Sequence, residues 1–166
     1  MEKLKALIEK LAAGGVEFVV VGGYAAVAHG ASLLTRDVDI CCRFSVENLR
    51  RLVRTLDEFH PKHRMTPQKL PLELTDEFAA RLKNLYLDTD LGVLDCLSEV
   101  LGVGDFDEVL RQSIEINTPS GKCRVLSLDA LIRAKETMGR TQDKLAVIQL
   151  KAIQERLLAD AAPRDR

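Results

Sequence analysis

The chain has 166 residues, enough for one domain with a core of its own. Hydrophobic residues make up 46% and charged residues 30%, which excludes a disordered chain and points to a soluble globular protein. A formal net charge of -1 gives no long-range attraction for nucleic acid and leaves only a local basic patch open for such a partner.

The N-terminal stretch alternates charged and apolar residues and lacks the apolar core of a signal peptide. The apolar runs are too short to span a bilayer, so a cytoplasmic protein with no membrane partner is expected. Leu4, Leu7, Ile8 and Leu11 fall at helical spacing, and Gly14-Gly15 ends that helix. Phe18 to Val21 is a continuous β-branched and aromatic run, the pattern of a buried strand. Gly22-Gly23 makes a turn, Tyr24 to His29 is an alanine-rich helix, and Gly30 suits its end. Val38 to Cys42 is the second strand. Ser45 caps a helix whose apolar positions are Val46, Leu49, Leu52, Val53 and Leu56, with Arg50, Arg51 and Arg54 on its solvated face.

His60 to Pro71 reads as a loop, and Thr75, Asp76 and Glu77 open a short helix reaching Lys83. Leu85 to Leu87 and Leu91 to Leu97 read as strands joined by the turn Asp88-Thr89-Asp90. Asp105 to Arg111 is a short helix. Ser113 to Asn117 and Lys122 to Leu126 alternate as a hairpin around Thr118-Pro119-Ser120-Gly121. Ser127 caps a helix through Met138 that ends at Gly139. The last helix starts near Thr141, with Ala146, Leu150, Ile153 and Leu157 on one stripe, and residues 161–166 form a fraying tail. The order of elements predicts a single α/β (α+β) domain, a small mixed β-sheet with helices packed against it. Cys41, Cys42, Cys96 and Cys123 form no C-x-x-C pair and read as buried reduced thiols.

Three features carry chemistry. The Gly22-Gly23 turn joins a buried strand to a helix, where backbone amides can hold phosphate. Asp37 and Asp39, one residue apart on a strand, share a face and repel each other unless a cation sits between them. Asp95 lies inside an apolar strand, where a lone acid is costly unless paired or metal-bound. On an adjacent strand it would complete a cage of carboxylates. Asp88 and Asp90 compete for that role, but they lie in a turn, where acids are ordinary.

In this order the features resemble a minimal nucleotidyltransferase of the DNA polymerase β superfamily, most of all the small bacterial stand-alone or antitoxin-like members. That pattern is a glycine turn, an acid pair on the next strand and a third acid on a later one; here it is Val21-Gly22-Gly23, Asp37-Val38-Asp39 and Asp95. Leu126 to Asp143 is similar to a helical segment whose lysine and R-x-K-D stretch serve the nucleotide, matched by Lys135, Arg140 and Asp143. The resemblance spans roughly Glu17 to Lys151. It implies two Mg2+ ions held by Asp37, Asp39 and Asp95 as catalytic residues and metal ligands. It further implies an NTP as substrate, bound through Gly22, Gly23, Arg36, Lys135 and Arg140, and transfer of a nucleoside monophosphate to an unknown acceptor (protein, RNA or small molecule). Two positions depart from the pattern: Gly23 stands where many members have serine, and Gln142 where they have lysine. They give weight to the alternative, an antitoxin-like or regulatory module, or an inactive pseudoenzyme, acting through a toxin-like protein partner.

Overall fold

The apolar run near the N-terminus forms a central strand of a seven-stranded sheet in the computed structural model, which describes residues 1–119 and 121–161. This strand, β1 (Phe18–Val21), is buried along its whole length. It pairs antiparallel with β2 (Asp37–Cys42) and parallel with β9 (Gly121–Leu126). β2 also pairs parallel with β5 (Gly92–Leu97). Beyond β5 come β4 (Asn84–Thr89) and the edge strand β3 (Lys62–His63), both antiparallel to their neighbours. β8 (Ser113–Thr118) forms the other edge beside β9, giving the order β3-β4-β5-β2-β1-β9-β8.

The helices cover this mixed sheet as their patterns predict. α1 (Glu2–Ala13) buries Leu4, Leu7, Ile8 and Leu11 and contacts β9, β2 and β5. α2 (Gly22–Ala28) follows β1 with no intervening loop and packs on β1, β2 and α6 (Leu128–Met138). Its end is tied to β9 by His29 Nε2, 2.8 Å from the Leu126 carbonyl oxygen. Ser45 caps α3 (Val46–Leu56) by accepting from the Asn48 amide, and Arg50 and Arg51 on its outer face pair with Asp76 and Glu47. Inside the same helix the buried Asn48 side chain bonds Glu17 N, Glu17 O and Arg43 O, fastening α3 to the ends of β1 and β2. Ser127 caps α6, which stops at Gly139 with φ +64°, a left-handed turn that glycine adopts without strain.

Several boundaries differ from expectation. α4 (Asp76–Ala79), capped by Thr75, is a single turn and stops short of Lys83. β3 lies inside the segment read as loop, because two residues between prolines carry no strand pattern and are held by pairing to β4, by a bridge to Pro71 and by a bond to Leu70. A small hairpin, β6 (Glu99–Val100) with β7 (Gly104–Asp105), precedes α5 (Phe106–Arg111), which Asp105 caps. In α7 (Thr141–Ala161) Ala146 and Leu150 are buried, but Leu157 is 56% exposed because the helix runs on past the surface it packs against. Across the β8–β9 turn Thr118 faces Gly121, while Ser120 lies outside the described residues, as does the tail beyond Ala161. The four cysteines are free and buried. Among the described residues no helix is long and apolar enough to cross a membrane.

Candidate active site

Burial along β2 alternates, with Val38 and Ile40 fully buried and the two intervening acids half-buried. This is the strand period of two, and it turns Asp37 and Asp39 to one face. The register then brings the third acid alongside, since Asp39 faces Asp95 across β2 and β5. On its other side Asp39 faces Val21, the last residue of β1, so the acids border the start of α2.

Gly22 and Gly23 do not form a separate turn; they are the first residues of α2. Gly22 has φ +63°, and a Cβ at this position would overlap the Asp39 carboxylate. Glycine is therefore required twice, for the backbone angle and for the approach of the acid. The Gly23 backbone amide favours the charged form of the Asp39 carboxylate. Burial first, then the charges of Asp37 and Asp95, push the Asp39 carboxyl up to about 6 against the opposing pull of the Gly23 amide and Lys135. Asp37 accepts a hydrogen bond from Thr35 Oγ1 at 3.1 Å.

Asp95 is paired with Arg64, which comes from the loop after β3. The Arg64 amide donates to the Tyr86 carbonyl at 2.9 Å, and its guanidinium lies 5.7 Å from the centre of the Tyr86 ring. Sequence reasoning missed Arg64, because a basic residue in a loop carries no signal of which strand it reaches. Asp88 and Asp90 are engaged elsewhere, with Lys69 at 2.8 Å and His60 at 2.7 Å.

Lys135 is buried and lies 3.3 Å from the buried Asp143, which Arg140 also contacts at 2.6 Å. Burial pushes the Asp143 carboxyl up, but the bonds from Arg140 and Lys135 outweigh it and hold the group below the usual carboxylate range. Arg36 is exposed and makes no ion pair among the described residues. All of the sequence-predicted site residues line one cleft of about 720 Å3: Gly22, Gly23, Arg36, Asp37, Asp39, Asp95, Lys135 and Arg140. Asn84, Tyr86, Leu97 and Glu99 line it as well, Tyr86 beside Asp95 in the register of β4 and β5.

Among the described residues no group of three or more His, Cys, Asp or Glu side chains is arranged to hold a metal ion, so the expected cage is not closed. The donor set nevertheless suits a hard divalent cation, being all carboxylate oxygen. Two acids lie side by side without a cationic partner among the described residues, and the absence of a Cβ at Gly22 lets the Asp39 carboxylate pack against the start of α2. Asp95 is the member that would have to leave its partner to join them.

No family model matches the chain, and no curated protein matches it in sequence. Solved structures do match its fold. The lincosamide antibiotic adenylyltransferase LnuA, in its lincomycin-bound form, superposes with a TM-score of 0.61 at 16% identity, over 92% of this chain and 96% of that one. ANT(2")-Ia in complex with adenylyl-2"-tobramycin gives 0.54 at 14% identity, over 95% and 98%. An antigenic nucleotidyltransferase-like protein from Paracoccidioides brasiliensis gives 0.53 at 14% identity, over 96% and 89%. The mixed sheet and its covering helices thus share the fold of these nucleotidyltransferase structures.

Proposed function

We propose that this protein transfers a nucleoside monophosphate from an NTP to a hydroxyl-bearing acceptor. The observation that carries the reading is the register of β1, β2 and β5, which sets Asp37, Asp39 and Asp95 beside one another at the cleft in a nucleotidyltransferase fold. Asp37 and Asp39 would hold Mg2+, with Asp95 joining on the acceptor side. When bound, the metal neutralises triphosphate charge and acidifies the attacking hydroxyl. The chain's own groups do the remaining work. Backbone amides at Gly22 and Gly23, with Lys135, Arg140 and Arg36, orient the phosphates. The acceptor oxygen bonds to the α-phosphorus as the bond to the β-phosphate oxygen breaks; pyrophosphate leaves and Asp95 accepts the hydroxyl proton. The buried cysteines suit the reducing cytoplasm, where NTPs are found.

LnuA is a lincosamide antibiotic adenylyltransferase and ANT(2")-Ia is seen with adenylyl-2"-tobramycin, which supports starting the acceptor search with small hydroxylated compounds. The test is incubation with labelled NTPs, Mg2+ and a panel of such compounds, RNAs and proteins. Label transfer that vanishes in Asp39→Ala supports the reading; no transfer across the panel refutes it. One observation favours the second reading, a regulatory or antitoxin-like module working through a protein partner: the ion pair that commits Asp95 to Arg64. Under that reading Asp39→Ala leaves partner capture intact and no Mg2+-dependent NTP binding is measured by calorimetry.

A further inference from the structure

Arg64 reaches Asp95 from outside the elements that carry the acids. Its backbone is anchored, because its amide donates to Tyr86 O at 2.9 Å and the preceding His63 amide to Leu70 O at 2.8 Å. Its side chain is a long lever from that anchor and remains about one third exposed, against 15% for Asp95. The pair is joined through one guanidinium nitrogen and one carboxylate oxygen, not as a two-pronged fork. Arg64 Nε is buried with no hydrogen-bond partner among the described residues. A guanidinium serving the fold alone would have its donors satisfied. This one is held at a single point, over an aromatic face that can carry it in another position.

We propose that Arg64 is the resident counter-ion of Asp95 and must yield that carboxylate before a divalent cation can use it. Arg64 is thus a positioning residue: it holds the Asp95 carboxylate until a cation competes for it and keeps metal affinity low until a nucleotide is bound. The physical reason is like-charge repulsion. A divalent cation and a guanidinium on one half-buried carboxylate repel each other, so the arginine opposes the metal and the tighter-bound of the two displaces its competitor. A metal that arrives with a triphosphate brings further oxygen ligands and negative charge, which shifts the exchange towards the metal. The inference rests on the reading of Asp95 as a metal ligand.

Mn2+ binding to the full chain, followed by calorimetry and electron paramagnetic resonance, tests it without reference to turnover. Wild type, Arg64→Met, Arg64→Lys and Asp39→Asn are compared with and without a non-hydrolysable NTP analogue. Without nucleotide, Arg64→Met is expected to bind Mn2+ about tenfold more tightly than wild type. Arg64→Lys, which keeps the charge, returns towards the wild-type affinity, and Asp39→Asn binds weakly throughout. Should Arg64→Met fail to fold, Arg64→Gln carries the same expectation, since it keeps a donor to Asp95 but not the charge. If wild type binds Mn2+ with the analogue and the charge-removing variants bind it no better than wild type without nucleotide, the counter-ion role is overturned while the transferase reading stands. If no protein binds Mn2+ under either condition, both fall together.

Discussion

Asp39→Asn should make the metal-free protein more stable at neutral pH, although it removes a residue assigned to the site. In the folded chain the Asp39 carboxyl is pushed from its ordinary 3.8 up to about 6, first by burial and then by Asp37 and Asp95. The unfolded chain gives up this proton near 4, whereas the folded chain keeps it until about 6. Between these values the folded state binds more protons, so stability falls as pH rises. The loss is complete above about 6 and absent below about 4. A rise of roughly two pH units at about 1.36 kcal/mol each amounts to about 3 kcal/mol at pH 7. Asparagine carries no such cost and keeps an oxygen for the Gly23 amide. Urea denaturation of both proteins in chelator, from pH 3.5 to 8, gives the difference directly and cancels the titration of other groups. The curves should meet at the acid end and separate to about 2–3 kcal/mol in favour of the variant at pH 7. Saturating Mg2+ with an NTP analogue should reverse the order, because only wild type gains from the ligand. A difference that is flat with pH, or a variant less stable at neutral pH in chelator, would refute the argument that Asp39 is held against its own preference.

Three further outcomes follow from the same geometry. Gly22→Ala adds a Cβ that overlaps the Asp39 carboxylate at a backbone φ of +63°, so thermal denaturation should show a loss of about 1–3 kcal/mol and calorimetry a loss of analogue binding. Lys135→Met leaves the buried Asp143 with Arg140 alone; analogue affinity should fall about tenfold by calorimetry, with a stability cost of about 1–3 kcal/mol. Asn48→Ala strips bonds of 2.8, 3.0 and 2.9 Å from Glu17 and Arg43 and should cost about 2–4 kcal/mol in urea, while transfer activity per folded molecule is unchanged.

The strands that carry the acids were legible because each has a strong local signature. Phe18–Val21 is apolar throughout, as a strand paired on both sides must be, and Asp37–Cys42 shows the period of two that turns both acids to one face. The convergence of Asp95 with them was an inference from an ordered pattern, and the parallel pairing of β2 with β5 supplies its geometry. Contacts made by loops were not legible. Arg64 follows a two-residue strand whose existence depends on β4, and nothing in the order of residues tells which carboxylate a loop arginine will meet. Lys135 was found as a residue but not in its setting, since a lysine on an amphipathic helix reads as exposed and here it is buried against Asp143. The stripe on α7 failed at Leu157 for a related reason: periodicity gives the face of a helix but not where the surface beneath it ends.

The charges around the cleft are unevenly matched, and the mismatch is informative. Asp95 has Arg64, and Asp143 has both Lys135 and Arg140. Asp37 accepts from a threonine hydroxyl, and neither Asp37 nor Asp39 has an ion pair among the described residues. Arg36 adjoins Asp37 in the chain, yet its side chain is exposed at the cleft and not bonded to that neighbour. The cations are therefore placed around the acid pair without neutralising it. For the fold alone this is a poor arrangement, since either acid as an amide would relieve the repulsion and the burial cost that raise Asp39. Arg64 could not serve both Asp95 and the pair, and Lys135 reaches Asp39 only through the field it casts from beside Asp143. What the arrangement does suit is a cation that arrives from outside with anionic ligands of its own. The metal would meet the unpaired acids, and the anion would meet Arg36, Lys135 and Arg140, which line the same cleft. A metal–triphosphate complex has that charge distribution. Under the proposed function the two acids and the three surrounding cations would act as one binding device, in which substrate binding relieves the energetic cost at Asp39.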